Sequence, residues 1–290
     1  MCLVSEVVVW IIMTFFLHSD ELGCNGKDNY PNKKTIRYSI NIRNKTNRIV
    51  NNAKLWTLAP VKKTATQKCG RIEASYPFEL IIDDFGNQTI SFTFENIPPF
   101  STRIVSIEAV LDLTDIANCS AEETDRYLLP ETYIESNSAE IRILAAKLVD
   151  KTTVSTVEKI FSWVAENIRY DGYRSSEKGA LLALQTKKGD CTEYMRLFVA
   201  LCRASGIPSR SIGGYVCLDN NIVTPVDYHN WGEFYMGGTW HIADPQKKTF
   251  MEHGSDYIAM QIIAESSDRL MKGFRRYWFE GDGLEVKMNS

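Results

Sequence analysis

The sequence predicts a mixed α+β protein in which a strand-rich first part precedes a second part of helices and a hairpin. Short segments of alternating apolar and polar residues, separated by turn residues, occupy residues 28–120 and predict a β-sandwich. Apolar residues then recur at helical spacing between residues 137 and 204. Further on, Gly237 and Gly238 separate two strand-like segments and predict the hairpin.

The composition is typical of a globular protein, because 44% of the 290 residues are hydrophobic and 24% are charged. The formal net charge is only -3, and no cluster of Lys and Arg with interleaved aromatic residues occurs. The sequence therefore argues against a nucleic-acid partner. The 7 cysteines include no CxxC pair, which gives a structural zinc site little support. We expect neither a metal nor an organic cofactor.

The N-terminal segment, residues 1–24, contains an apolar run at residues 7–17. The run has the length of a signal-peptide core and is short for a membrane span. Glu6 precedes it instead of Lys or Arg, and Glu21 stands where a lipoprotein cleavage site has an aliphatic residue. We favour export to the cell envelope or beyond, with membrane contact only through this segment. The alternative is a cytoplasmic protein with a buried N-terminal strand or helix.

Residues 28–120 are predicted to form the β-sandwich-like domain. The expected strands cover residues 35–43, 53–58, 78–82, 89–94 and 102–113. This region shows no catalytic constellation, and we interpret it as a packing or partner-binding module.

The same region holds cysteines and glycosylation motifs. Cys69 and Cys119 pair if the compartment is oxidising, and two separate buried thiols are the alternative. Three Asn-X-Ser/Thr motifs begin at Asn44, Asn87 and Asn118. Because this pattern is short and common, we attribute all three to chance.

A connector over residues 121–135 leads to the second domain, which is predicted to cover residues 136–290. Three helices are expected before the central helix of this domain. Their predicted ranges are residues 137–149, 153–168 and 180–185.

The best-defined helix begins at Cys191. Asp190 is a candidate N-cap, Glu193 completes a capping box, and Gly206 and Pro208 provide the stop signal. Free backbone N–H groups and the helix dipole stabilise a thiolate at a helix start. We therefore expect a lowered pKa and a nucleophilic role for Cys191, with a buried inert cysteine as the alternative.

The hairpin is predicted to bring an imidazole and a carboxylate together. With a two-residue loop, Trp231 lies opposite Asp244, and His229 lies diagonal to Asp244 on the same face. Diagonal neighbours are about 7–8 Å apart at the backbone, so the two side chains can form a hydrogen bond. Together with Cys191, this is the arrangement of an activated thiol, in which the imidazole accepts the thiol proton and the carboxylate orients the imidazole.

The remaining segments are predicted to be strands and loops. Residues 209–218 read as a strand in which Gly213 and Gly214 indicate a bulge or a close backbone approach. Residues 219–227 form a polar loop that borders the cleft. Closing strands or a helix are expected at residues 257–263, 275–279 and 284–288.

With these motifs the sequence resembles the transglutaminase-like superfamily. Residues 189–194 and 201–210 resemble the cysteine motif of the superfamily, residues 229–234 its histidine motif and residues 240–245 its aspartate motif. The resemblance covers about residues 136–250. One departure is the Asn-Trp-Gly that follows the histidine, where many members carry Ala-Trp. The strand-rich first part is similar to the β-domain that often precedes the catalytic domain in microbial members.

The resemblance implies a papain-like fold with Cys191, His229 and Asp244 as the catalytic triad. The superfamily includes amide hydrolases, transamidating enzymes, peptide N-glycanases and members without activity. We expect cysteine-dependent acyl transfer on amide bonds of a protein or peptide substrate, with hydrolysis slightly favoured. Glutamine transamidation or deamidation and a non-catalytic peptide-binding module are the alternatives. Trp231 and Trp240 either shield a thioester in the substrate cleft or are ordinary core aromatics.

Overall fold

The computed structural model describes residues 28–120, 122–173, 178–265 and 275–289. The predicted export segment at residues 1–24 lies outside the described residues. Of the helices in the described ranges, none combines the length and the apolar character that a membrane crossing requires.

The first part of the chain consists of strands, as predicted. They are β1 (Asn32–Asn44), β2 (Ala53–Ala59), β3 (Gln67–Ala74), β4 (Glu79–Ile82), β5 (Gln88–Phe94) and β6 (Thr102–Leu113). The sequence did not predict β3. Its pairing with β6 shifts register between Cys69 and Arg71, and much of its length is exposed, so its apolar alternation is weak.

These strands form two sheets that share one core, which we call the sandwich. One sheet contains β1, β6 and β3, and the other contains β2, β5 and β4. Alternate side chains of both sheets enter one hydrophobic cluster, among them Ile36, Ile40, Leu55 and Phe92, all 0–1% exposed. Burial of these apolar faces against each other stabilises the sandwich.

The helices of the second part are α1 (Ala139–Leu148), α2 (Thr153–Asn167), α3 (Ala180–Thr186) and α4 (Cys191–Ala204). Local hydrogen bonds begin three of them. The side chains of Ser138, Thr152 and Asp190 accept hydrogen bonds from the first turns of α1, α2 and α4. The four helices lie where the apolar spacing predicted them.

The later strands are β7 (Arg169–Tyr170), β8 (Lys188–Gly189), β9 (Ser209–Val216), β10 (Asn221–Ile222), β11 (Tyr228–Met236), β12 (Thr239–Asp244), β13 (Thr249–Phe250), β14 (Tyr257–Ile263), β15 (Tyr277–Glu280) and β16 (Leu284–Met288). Five of them pair in the order β13-β12-β11-β9-β14, and we call this the hairpin sheet. The cluster formed by the helices includes Phe234 and Ala243 of this sheet. Trp231 and Ile242 enter a separate cluster with Val61 of the first part. The hairpin sheet therefore lies between α4 and the strand-rich region.

The last two strands return to the sandwich. β15 pairs with β2, and β16 pairs with β1. β10, in the segment predicted as a polar loop, also pairs with β1. The domain ranges 28–120 and 136–290 stay a prediction, and the pairing places the C-terminal strands in the sheets of the first part.

The glycine pair in β9 allows the close backbone approach that the sequence predicted. A Cβ atom at Gly214 would lie 2.0 Å from the carbonyl oxygen of Ile258. The facing strand β14 shifts register between Ala259 and Gln261. A side chain at Gly214 would therefore separate two neighbouring strands of the hairpin sheet.

The cysteines of the first part do not pair with each other. Cys69 has a free thiol, whereas Cys119 is disulfide-bonded. The expected pair of Cys69 with Cys119 and the alternative of two separate thiols are therefore both wrong.

The asparagines of the first two glycosylation motifs are buried and hydrogen-bonded. The side-chain amide of Asn44 is buried and donates to the carbonyl of Ile97, and that of Asn87 is buried and donates to the carbonyl of Ile262. Neither amide is accessible for glycosylation in the folded chain.

A buried lysine connects the sandwich to the segment that precedes β14. Lys34 of β1 is 8% exposed. Its ammonium donates to the carbonyl oxygens of Cys217 and Ser255 at 2.5 and 2.9 Å, and to the Asp256 carboxylate at 2.7 Å. These bonds give a buried ammonium three oxygen acceptors, one of them a carboxylate.

Replacement of Lys34 by Met should destabilise the chain by about 2 kcal/mol, because it leaves the Asp256 carboxylate and two carbonyls without their donor. The midpoint of urea unfolding measures this loss. The control is Lys33→Met, since the neighbouring side chain is 71% exposed and lies 3.9 Å from Asp112. Equal unfolding midpoints for the two variants would contradict the assignment.

Candidate active site

The first turn of α4 is fixed by a reciprocal cap. The Asp190 side chain accepts from the backbone N–H of Thr192 at 2.8 Å, and the Glu193 carboxylate accepts from the backbone N–H of Asp190 at 2.8 Å. This is the predicted capping box, and it makes Cys191 the first residue of the helix. The thiol therefore lies at the positive end of a helix whose start is structurally defined.

The hairpin has the predicted register. Met236 pairs with Thr239, and Gly232 pairs with Ala243. Gly237 and Gly238 both have positive φ angles, 60° and 81°, as a two-residue type I′ loop requires. With this register, His229 reaches Asp244 diagonally on one face.

His229 and Asp244 form a short hydrogen bond. The distance between His229 Nε2 and Asp244 Oδ2 is 2.6 Å. Tyr257 donates its hydroxyl to the same oxygen at 3.0 Å, and the backbone N–H of Lys247 donates to the other oxygen at 3.1 Å. Asp244 is 1% exposed, so these donors hold a buried carboxylate in one orientation. Because Nε2 is hydrogen-bonded to Asp244, Nδ1 is the ring nitrogen of His229 that can interact with a substrate or a nucleophile.

The thiol of Cys191 contacts the residue that follows His229. The side-chain nitrogen of Asn230 lies 3.5 Å from Cys191 Sγ and 3.1 Å from Thr192 Oγ1. Side chains alternate along β11, so the imidazole of His229 faces Trp231, and Asn230 faces α4. In the ranges that the structure describes, no hydrogen bond joins the Cys191 thiol to the His229 imidazole.

The expected lowering of the cysteine pKa is not found. Burial raises the pKa of the Cys191 thiol to about 11, and the Asp190 carboxylate adds to the increase. Hydrogen bonds from Asn230 and Thr192 act in the opposite direction but are outweighed. Desolvation disfavours the thiolate more than the local donors favour it, so the resting residue is a neutral thiol at physiological pH.

The two tryptophans proposed for the cleft lie in the core. Trp231 and Trp240 are each 1% exposed. Trp231 packs edge-on against Tyr257 and stacks beside His229. Trp240 packs against Tyr127. Trp231 therefore supports the imidazole from within the core, and Trp240 belongs to a different cluster.

Sequence reasoning missed a buried ionic network behind the hairpin. Arg210 donates to Glu233 at 2.8 Å and to Glu122 at 2.9 Å, and Trp240 donates its indole N–H to Glu122 at 3.0 Å. Glu233, four residues after His229, was a visible signal, but its partner Arg210 lies on another strand and Glu122 lies in the connector. The network anchors the connector to the hairpin sheet.

Over the described stretches of the chain, no group of three or more His, Cys, Asp or Glu side chains is placed to hold a metal ion.

Residues 143–245 match the model of the transglutaminase-like superfamily, and this range includes Cys191, His229 and Asp244. The chain contains a transglutaminase-like domain. The α+β architecture, with a strand-rich part before this domain, agrees with that assignment.

Among curated proteins, the transglutaminase-like domain is similar to kyphoscoliosis peptidase. The human protein is 28% identical over 103 residues, and the mouse protein is 29% identical over 98 residues. The matched stretch covers 32% of this chain for the human protein and 30% for the mouse protein, but only 15% of either relative.

Among solved structures, the chain is similar to a Cytophaga hutchinsonii protein described as a candidate cysteine protease. The TM-score is 0.57 at 18% sequence identity, and the match covers 89% of this chain and 92% of the other. The similarity therefore extends over the strand-rich part as well as the transglutaminase-like domain, and at this identity it shows the fold.

We expect alkylation of Cys191 by iodoacetamide to accelerate about tenfold per pH unit between about pH 7 and pH 10. Only the thiolate reacts, and its fraction grows with pH below a thiol pKa of about 11. Peptide mass spectrometry at Cys191 resolves this rate from that of the other free thiols. A rate that is already constant near neutral pH would show a preformed thiolate and contradict the effect of burial.

Proposed function

We propose that the transglutaminase-like domain catalyses cysteine-dependent acyl transfer on amide bonds of a protein or peptide substrate, with hydrolysis as the favoured outcome. The observation that carries this proposal is the 2.6 Å hydrogen bond between His229 and Asp244. It supports an imidazole in a fixed orientation, next to the residue that contacts the Cys191 thiol. Nucleophile, base and orienting group are the three parts that thiol catalysis needs.

The proposed reaction begins with a neutral thiol. Because the pKa of Cys191 is raised, the nucleophile depends on a base, and Nδ1 of His229 accepts its proton as the sulfur attacks the amide carbon. Asp244 accepts the hydrogen bond from Nε2 and stabilises the imidazolium that forms. The imidazolium then protonates the departing amine, which leaves an acyl group on Cys191 as a thioester. Water attack on the thioester releases the acid and restores the thiol.

Hydrolysis is favoured because water is always available as the second substrate. The names of the relatives support the same choice, since one is called a peptidase and the other a candidate cysteine protease. A primary amine as second substrate would convert the same thioester into a transamidation product. The substrate we propose is therefore a polypeptide, through either its backbone or a glutamine side chain.

We also propose that the chain acts in an oxidising compartment outside the cytoplasm. The disulfide at Cys119 supports this location, because disulfides persist mainly in oxidising environments. Any membrane contact is proposed to involve only residues 1–24.

The test is mass spectrometry of a protein mixture after incubation with the full chain, in one arm with methylamine and in the other without. We expect new peptide termini in both arms, and their loss with Cys191→Ala. His229→Ala and Asp244→Asn should each reduce cleavage at least about 100-fold, because they remove the base or its orientation. The control variant is Lys33→Met, which lies on an exposed surface of the sandwich.

Different products would identify different reactions. Methylamine adducts on glutamine, without new termini, would overturn hydrolysis and establish transamidation. If neither product forms and the Cys191 thiol does not react with iodoacetamide at alkaline pH, the catalytic proposal is overturned. A peptide-binding module would then be favoured.

A further inference from the structure

We propose that Asn230 is a further catalytic residue, whose side-chain amide is a donor to the oxyanion that forms during acyl transfer. The inference rests on the proposed function and deepens it. In the sequence, Asn230 appears only as a departure from the histidine motif. In the structure, its amide nitrogen is the side-chain donor 3.5 Å from the reacting sulfur atom.

The location of Asn230 suits this role. It is 5% exposed and faces α4, whereas His229 faces the opposite side of the same strand. The amide therefore contacts the thiol on a side of the strand that the imidazole does not occupy. An oxyanion donor must lie close to the nucleophile without occupying the position of the base, and Asn230 meets both conditions.

The helix itself holds the amide in place. Asn230 Nδ2 donates to Thr192 Oγ1 at 3.1 Å, and Thr192 is anchored through its backbone N–H to the cap residue Asp190. A carboxamide nitrogen carries two hydrogens, so one can bond to Thr192 while the other points towards the sulfur. Preorganised donors of this kind stabilise developing charge without a cost of reorientation.

Two unpaired polar atoms adjoin this amide. Asn230 Oδ1 and the Tyr228 hydroxyl are buried, and neither has a hydrogen-bond partner among the described residues. A Cβ atom at Gly213 would lie 2.4 Å from the Tyr228 hydroxyl and 3.1 Å from Asn230 Oδ1, so only a glycine leaves room for both. Burial raises the pKa of Tyr228 well above its usual value, and the hydroxyl is therefore neutral and able to donate.

Buried polar atoms without partners are rare in native proteins and need an explanation. A bound substrate amide would explain the unpaired atoms, because it offers an N–H group to Asn230 Oδ1 and a carbonyl oxygen to hydrogen-bond donors. Tyr228 and Asn230 fill the space above Gly213, so the substrate amide approaches Asn230 from the side of the Cys191 thiol.

The step that Asn230 assists is the attack of the thiol. The carbon–sulfur bond forms, and the electron pair of the carbonyl double bond moves onto oxygen. This oxyanion accepts hydrogen bonds from Asn230 Nδ2 and from the backbone N–H of Cys191 at the helix start, where N–H groups lack intrahelical partners. When the carbonyl re-forms, the carbon–nitrogen bond breaks, and the amine leaves with the proton that His229 took from the thiol.

Two reactions of the same thiol separate this role from others. Acylation by p-nitrophenyl acetate passes through an oxyanion, whereas alkylation by iodoacetamide does not. We compare the single-turnover rates of both in the full chain at one pH. Asn230→Ala should lower the ratio of acylation to alkylation about 100-fold, the usual effect of losing one oxyanion donor. The control Ser205→Ala removes a buried hydroxyl without a partner at the far end of α4 and should leave the ratio unchanged.

Asn230→Asp keeps the shape of the side chain but has no N–H donor. It should lower the ratio of acylation to alkylation at least as much as Asn230→Ala does. This variant replaces Asn230→Ala if the alanine variant does not fold. An unchanged ratio in whichever variant folds, as judged by circular dichroism, would overturn the role of Asn230. His229→Ala tests the proposed function separately, because it must slow acylation whether or not Asn230 is a donor. Loss of acylation with His229→Ala but an unchanged ratio with Asn230→Ala would refute only the present inference.

Discussion

The close contact between α4 and the central strand β11 fixes where the thiol lies. A Cβ atom at Gly232 would come within 2.6 Å of the Phe198 ring and 3.4 Å of a Val199 methyl group, so the helix rests directly on the strand backbone. Interiors are close-packed, and a larger residue at this position would push the helix away. The same contact aligns the start of α4 with the start of β11. Cys191 and Asn230 meet there, one residue from His229.

Burial explains the chemistry that we propose for this site. It keeps Cys191 protonated, so the proposed reaction requires a base to generate the nucleophile. It also encloses the Asp244 carboxylate, whose hydrogen bonds to His229 and Tyr257 are stronger in a medium of low dielectric constant. A neutral thiol thus replaces the thiolate that helix position alone suggested.

Local sequence signals were sufficient for much of this account. The capping box at Asp190 and Glu193 depends only on residues in one turn, and the register of the hairpin depends only on its loop. Both were predicted and are confirmed. The helices and most strands of the sandwich follow from periodicity in the same way.

Features that depend on distant residues were not predictable. The pairing of β15 and β16 with the sandwich joins segments more than two hundred positions apart. The pKa of Cys191 depends on tertiary burial, and Asn230 contacts the thiol only because α4 and β11 are packed together. Glu122 likewise finds Arg210 and Trp240 through the fold. A single sequence contains no local pattern for such contacts.

The most direct test of the central claim is the tautomer of His229, measured by NMR on chain labelled with ¹⁵N-histidine. The sequence has only 4 histidines, and loss of one signal in His229→Gln assigns the resonance. Our account predicts a proton on Nε2, donated to Asp244, and a bare Nδ1 that accepts the thiol proton at neutral pH. A proton on Nδ1 of the neutral ring would leave that nitrogen unable to act as the base, and would contradict the account.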